Sequence, residues 1–217
     1  VTEDIIYKNR YLSKVQLESC RLYFQNLNDS FSNGPKEYIS DNGSHLLKEG
    51  CWDRPLRLEN PDNPIHQIIE QLKMDLGDFV IHTCSIRYLA YPFVPHSDIR
   101  SSEWMIENNK KYKPGYTILI PLSWKTNYKP GTAFFDCPPK EGQEMYVEQQ
   151  AILPKFQNQN HAKNFGIKKL VAWQHPGDLI AWKNYRFHCS MTDQNYNYSD
   201  SDWCKEFISI ETFFKKF

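Results

Sequence analysis

No run of apolar residues in this chain approaches the roughly 18–20 needed to span a bilayer, and the first residues lack the charged-then-apolar layout of a secretory leader. Nor is there a block of Lys and Arg. The 26 basic and 26 acidic residues cancel, and phosphate backbones are held by clustered cations, so no nucleic-acid partner is expected. The six cysteines (Cys20, Cys51, Cys84, Cys137, Cys189 and Cys204) never fall into CxxC spacing. That removes a zinc ribbon and, without a secretion signal, reads as reduced thiols. There is no internal repeat and no low-complexity tract. What remains is one domain of 217 residues, long enough for a substantial core. It is expected to be cytoplasmic and free of the membrane. Composition leaves its oligomeric state open.

Two helices come first. Ser13-x-x-Gln16 forms a capping box, and Val15, Cys20, Leu22, Tyr23, Phe24 and Leu27 follow it. Residues 29–62, rich in Asn, Asp, Gly, Ser and Pro, read as loop anchored by Trp52, Leu56 and Leu58. Asn63 then caps a second helix with Pro64 in its first turn and Gly77 at its end. Its Ile65, Ile68, Ile69, Leu72 and Leu76 recur at helical spacing, one stripe to lay on a sheet.

From Phe79 the pattern shifts to short β-branched and aromatic runs. Strands are expected near 79–91, 94–98, 116–122, 132–136, 168–174, 179–183, 186–190 and 206–214. Turn signals lie at Lys113-Pro-Gly115, Lys129-Pro-Gly131, Pro138-Pro139 and Pro176-Gly177. The fold class is therefore α+β. A helical part over 1–78 supports a jelly-roll core over 79–217, with a polar insert at 137–167.

The stretch Tyr91-Pro-Phe-Val-Pro-His96-Ser-Asp98 carries the chemistry, together with Phe187-His188-Cys189. On a strand, residues i and i+2 share a face, so His96 and Asp98 can reach one ion together. His188 would complete a set of two imidazoles and one carboxylate, which leaves open positions on a non-haem Fe(II). A His-x-Asp by itself is most often a surface pair. Its context here is Pro176-Gly-Asp-Leu-Ile-Ala-Trp182, a turn feeding an apolar strand, followed by His188 and a last strand starting near Lys205.

That ordering resembles the 2-oxoglutarate/Fe(II)-dependent dioxygenases, over roughly residues 79–217, and within them the prolyl-hydroxylase and phytanoyl-CoA-hydroxylase branches. The resemblance implies a double-stranded β-helix, with His96, Asp98 and His188 as iron ligands. It implies 2-oxoglutarate and O₂ as co-substrates and hydroxylation of a C–H bond in a small molecule, amino acid or peptide, with release of succinate and CO₂. Related halogenases replace the carboxylate with a small residue; Asp98 is present. The far carboxylate of 2-oxoglutarate would need a cation at the start of the last strand. Lys205 matches by position, and Arg186 is the reserve, sharing parity with His188. Tyr88 and Thr117 could donate hydroxyls to the co-substrate, or simply pack the core. Arg100 and Trp104, on a 99–115 segment read as a lid, are the candidate substrate contacts.

The remaining polar residues have plainer readings. Asp178 belongs to a Pro-Gly-Asp turn, and Cys189 is a small core residue. His45, His66, His82, His161 and His175 are structural or exposed, with His175 nearest the barrel mouth. Two other functions stay open at this stage: a jelly-roll binding module without catalysis, and a cupin-like metal enzyme that does not use 2-oxoglutarate.

Overall fold

A computed structural model of the chain describes residues 4–30, 52–56, 58–89, 98, 112–125, 130–135, 167–184, 186, 188–192 and 204–215, and the statements below concern these. The elements are β1 (Ile5–Lys8), α1 (Lys14–Ser30), β2 (Trp52–Pro55), α2 (Ile65–Leu76), β3 (Val80–Leu89), β4 (Tyr112–Lys125), β5 (Pro130–Phe135), β6 (Ile167–Ala172), β7 (Leu179–Lys183), β8 (His188–Thr192) and β9 (Cys204–Lys215). Six strands form one sheet in the order β1-β7-β4-β9-β3-β2, and three form a second in the order β6-β5-β8. All pairings are antiparallel. Two sheets facing each other, with helices on the outside of the larger, make a double-stranded β-helix.

The helix ends follow the expected chemistry. Ser13 N–H donates to Gln16 Oε1 at 3.0 Å while Gln16 N–H donates to Ser13 Oγ at 3.2 Å, a closed capping box. At α2 the cap position falls to Pro64 rather than to Asn63, which stands one residue earlier and whose Oδ1 still accepts from Ile65 N–H at 3.1 Å. Gly77 ends α2 with φ of 96°, a left-handed value that suits glycine.

Alternation sorts the large sheet into two faces. Ile118, Ile120, Leu122, Ile208, Ile210, Cys84 and Ile86 point outward and pack with Leu12, Cys20 and Phe24 and with Ile65, Ile68, Ile69 and Leu72 of α2. Residues of the opposite parity, Leu119, Ile180, Trp182 and Phe207, face inward against Phe134, Val171 and Trp173. The second set lines the space between the sheets.

Several elements depart from the sequence-based expectation. β1 and β2 are short edge strands: β1 pairs with β7, and β2 lies within the stretch read as loop. Lys113-Pro-Gly115 is not a turn but an irregularity inside β4, where the register with β9 slips between Pro114 and Thr117. A Cβ on Gly115 would stand 2.3 Å from the Thr212 carbonyl oxygen, so the close approach requires glycine. Pro130-Gly131 likewise opens β5 rather than preceding it. Of the expected strand at 94–98 only Asp98 is described, and the 137–167 insert is outside the described residues except for Ile167. No described helix is long and apolar enough to cross a membrane.

Asp178 fastens the N-terminal segment to the turn before β7. Fully buried, it accepts from Arg10 N–H at 2.7 Å, His175 N–H at 2.8 Å, Gln174 N–H at 3.0 Å and the Tyr7 hydroxyl at 2.5 Å. Burial first, and then the facing Asp178, holds the Tyr7 phenol well above its ordinary pKa, which keeps it a donor. Asp178→Ala should orphan three backbone donors and cost about 3 kcal/mol or more of unfolding free energy, read by chemical denaturation. A loss under about 1 kcal/mol would contradict this role.

Candidate active site

His188 opens β8 opposite Phe134, and its imidazole is buried against Phe134 and Trp182, with ring centroids 6.2 Å and 4.6 Å away. Its Nδ1 lies 2.9 Å from the Arg186 carbonyl oxygen. An acceptor there fixes the proton on Nδ1 and leaves the lone pair on Nε2, the tautomer suited to metal binding. Nε2 stands 3.7 Å from Asp98 Oδ2, with side chains only 6% and 7% exposed.

Asp98 is held by the sheet beneath it. Thr117 on β4 and Trp182 on β7 are register partners, and both donate to Asp98 Oδ2, the Thr117 hydroxyl at 2.7 Å and Trp182 Nε1 at 3.2 Å. Asp98 N–H donates to the Asn184 carbonyl at 3.1 Å. Asn184 is in turn tied to the β4–β9 irregularity, its Nδ2 donating to the Thr212 carbonyl at 3.1 Å. Two donors bound to one ion at about 2.1 Å and right angles lie about 3 Å apart. A carboxylate oxygen and an imidazole lone pair at 3.7 Å, both oriented by hydrogen bonds, fit a divalent metal. Among the described residues no third His, Cys, Asp or Glu joins them; His96 is outside those residues, as are Arg100 and Trp104.

Lys205 begins the inward-facing row of β9 and is 2% exposed. Its ammonium donates to Ser190 Oγ at 2.7 Å and sits 4.7 Å above the Trp173 ring and 5.1 Å from that of Phe207. Burial pulls its pKa from 10.5 down to about 7, opposed by nearby Cys189. Ser190 is two residues beyond His188 on the same face of β8, so about 7 Å along the strand separates the imidazole from the partner of Lys205. The Asp98–His188 pair and a buried cation therefore stand at two depths of one interior.

The other expected contacts are placed differently. Thr117 is inward and buried, but its hydroxyl serves Asp98. Tyr88 shares parity with Cys84 and Ile86, residues of the core beneath the helices, so it lies on the outer face of the sheet. Arg186 is paired with Asp4 ahead of β1. His175 contributes its backbone to the Asp178 turn, and Cys189 is a buried free thiol. Sequence reasoning missed Ser190 and Trp182. Both were within reach of the parity argument, as i+2 from His188 and as an inward residue of the strand before it.

No family model and no curated protein sequence matches the chain. Solved structures do. The chain is similar to SnoK, a non-haem α-ketoglutarate-dependent carbocyclase from nogalamycin biosynthesis, at 12% identity over 97% of this chain and 79% of that one, with a TM-score of 0.58. It is similar to a Pseudomonas putida prolyl-4-hydroxylase at 9% identity over 100% and 95%, TM-score 0.56. It also resembles HygX from Streptomyces hygroscopicus, solved with nickel and 2-oxoglutarate bound, at 10% identity over 100% and 84%, TM-score 0.58. At such identities the likeness is one of fold.

The buried amine has a consequence that needs no ligand. Between pH 7 and 10.5 the unfolded chain holds a proton on Lys205 more often than the folded chain does, so this group makes stability rise with pH across that window, with its penalty complete below pH 7. Lys205→Met should be the more stable protein at pH 7, by roughly 1 kcal/mol or more, and its advantage should shrink toward pH 10. Denaturation curves at several pH values test this; parallel pH profiles for the two proteins would contradict it.

Proposed function

We propose that this chain is an Fe(II)- and 2-oxoglutarate-dependent oxygenase that hydroxylates a C–H bond of a small molecule, amino acid or peptide. The observation that carries the reading is the pairing of Asp98 with the Nε2 edge of His188 in a jelly-roll interior that also buries Lys205. His96, i−2 from Asp98, is the third ligand in this reading. Lys205 and Ser190 take the far carboxylate of the co-substrate, the ammonium supplying charge and the hydroxyl direction. Structures of the same fold support it: HygX holds nickel and 2-oxoglutarate, and the epimerase SnoN was solved with Fe³⁺, α-ketoglutarate and nogalamycin RO. Three described cysteines are free thiols, which suits the cytoplasm.

When bound, the iron and 2-oxoglutarate supply O₂ activation, one oxygen atom leaving in succinate as CO₂ is lost and the other entering the substrate as hydroxyl. The chain's own residues prepare the site. Thr117 and Trp182 fix which oxygen of Asp98 faces the metal, and the Arg186 carbonyl fixes the plane of His188; such outer contacts set ligand geometry and basicity. Phe134, Trp182, Ile180 and Leu119 wall the interior with apolar surface and keep water from the reacting centre. Arg100 and Trp104, on the 99–115 segment, are proposed to close over the substrate.

Succinate release from 2-oxoglutarate with Fe(II) and O₂, assayed against amino acids, peptides and other metabolites, is the first test. Thr117→Val should weaken metal binding about 10- to 100-fold while leaving the fold intact. Lys205→Ala should weaken 2-oxoglutarate by about 2–5 kcal/mol, since the ligand carboxylate would be buried unpaired. In the wild type, 2-oxoglutarate affinity should fall as pH rises above about 7, because the amine must regain its proton to bind the dianion. Unchanged affinity in Lys205→Ala, with no pH dependence in the wild type, would move the co-substrate elsewhere.

A further inference from the structure

The interior has two unlike walls. Phe134, Val171, Trp173, Ile180 and Trp182 make one apolar. Beyond Phe207, the inward row of β3 and β9 makes the other polar: Thr83 and Ser85 stand beside Glu211 and Ser209 in register, and Arg87 follows on β3. Arg87 and Glu211 approach to 4.0 Å, with side chains 23% and 12% exposed. The Thr83, Ser85 and Ser209 hydroxyl oxygens are buried with no hydrogen-bond partner among the described residues. Glu211 is also the register partner of Thr117, whose hydroxyl holds Asp98. The charged pair thus stands one strand away from the metal-binding carboxylate.

This stripe is a poor source of folding free energy. A buried ion pair is commonly neutral or costly compared with apolar residues of similar volume, and buried hydroxyls are ordinarily satisfied. Both strands bury aliphatic residues readily on their outer face. Opposite charges fixed at a short separation beside a reaction centre are suited to a ligand carrying both signs at a similar separation.

We propose that the Arg87–Glu211 wall selects a zwitterionic substrate, a free amino acid or a close relative, with its carboxylate at Arg87 and its ammonium at Glu211. This deepens the oxygenase reading and rests on it for the reaction, though not for the binding. It disfavours the interior of a peptide, where neither group is charged. The remainder of such a substrate would lie along the apolar wall toward Asp98 and His188.

The test compares two matched sets, L-norleucine, hexanoate and hexylamine, then L-alanine, propionate and propylamine. Binding is measured by calorimetry or ligand-observed NMR to the full chain, with and without Ni(II) and 2-oxoglutarate. In at least one set the amino acid should bind about tenfold or more tightly than either singly charged analogue. Glu211→Gln and Arg87→Gln should each erase most of that preference, and Glu211→Asp should restore part of it. Thermal unfolding of each variant separates this from loss of fold. Equal binding within both sets overturns the proposal, as does a preference that survives both substitutions. Loss of 2-oxoglutarate binding in Arg87→Gln, with amino-acid preference unchanged, also overturns it by assigning the pair to the co-substrate. If Ni(II) and 2-oxoglutarate fail to bind while the charge preference remains, the oxygenase reading falls and this one stands.

Discussion

Side-chain alternation along β9 governs this molecule. The strand is hydrogen-bonded on both edges, to β3 and β4, and sends Ile208 and Ile210 outward to the helices while Lys205, Phe207, Ser209 and Glu211 face inward. A slip of one residue would exchange the two sets. Burying Ile208 and Ile210 is worth roughly 1.5–3 kcal/mol each, and a slip would also drive Lys205 and Glu211 into the helix-side core. Register is pinned further at the β4 irregularity, where Thr212 Oγ1 accepts from Tyr116 N–H at 2.9 Å and donates to the Tyr116 carbonyl at 3.0 Å. Scaffold and site are thus set by one pattern: the apolar residues that hold β9 in register are what aim its polar residues into the interior.

The same sheet aims Asp98 toward His188. Asp98 does not sit in the larger sheet, yet two of its neighbours, Thr117 and Trp182, grip one of its oxygens from adjacent strands. Asn184 joins that grip to the β4 irregularity. His188 is oriented by a carbonyl two residues before it. Asp98 and His188 are therefore both positioned by hydrogen bonds to their neighbours, the arrangement that holds side chains ready before a ligand arrives. Lys205 is held differently, by one hydroxyl and two aromatic faces. These steady the ammonium, while burial is what lowers its pKa.

What could be read in the sequence was what local chemistry decides. Capping residues gave α1 and α2, apolar runs gave β3 and β7, and i, i+2 parity set Asp98 beside His96, while the turn-and-strand layout before His188 and the resemblance to the dioxygenases brought His188 and Lys205 into consideration. What could not be read depended on partners. β1 and β2 are four-residue edge strands whose pairing comes from β7 and β3 rather than from their own composition. Lys113-Pro-Gly115 carries a turn signature, but its glycine answers to the Thr212 backbone, visible only once β9 lies beside it. Tyr88 and Arg186 were weighed by position near the motif. Register then turned Tyr88 to the helix side, and Asp4, from the far end of the chain, took Arg186. The Arg87–Glu211 pair has no local signature, since each is an ordinary charged residue until two strands bring them together.

The most direct measurement is a crystal structure of the protein prepared anaerobically with Fe(II) and 2-oxoglutarate. The expected result is one iron bound by an Asp98 oxygen and His188 Nε2 together with His96, with the keto-acid end on the metal and the far carboxylate on Lys205 Nζ and Ser190 Oγ. Iron bound away from Asp98 and His188, or a 2-oxoglutarate whose far carboxylate does not reach Lys205, would contradict this arrangement.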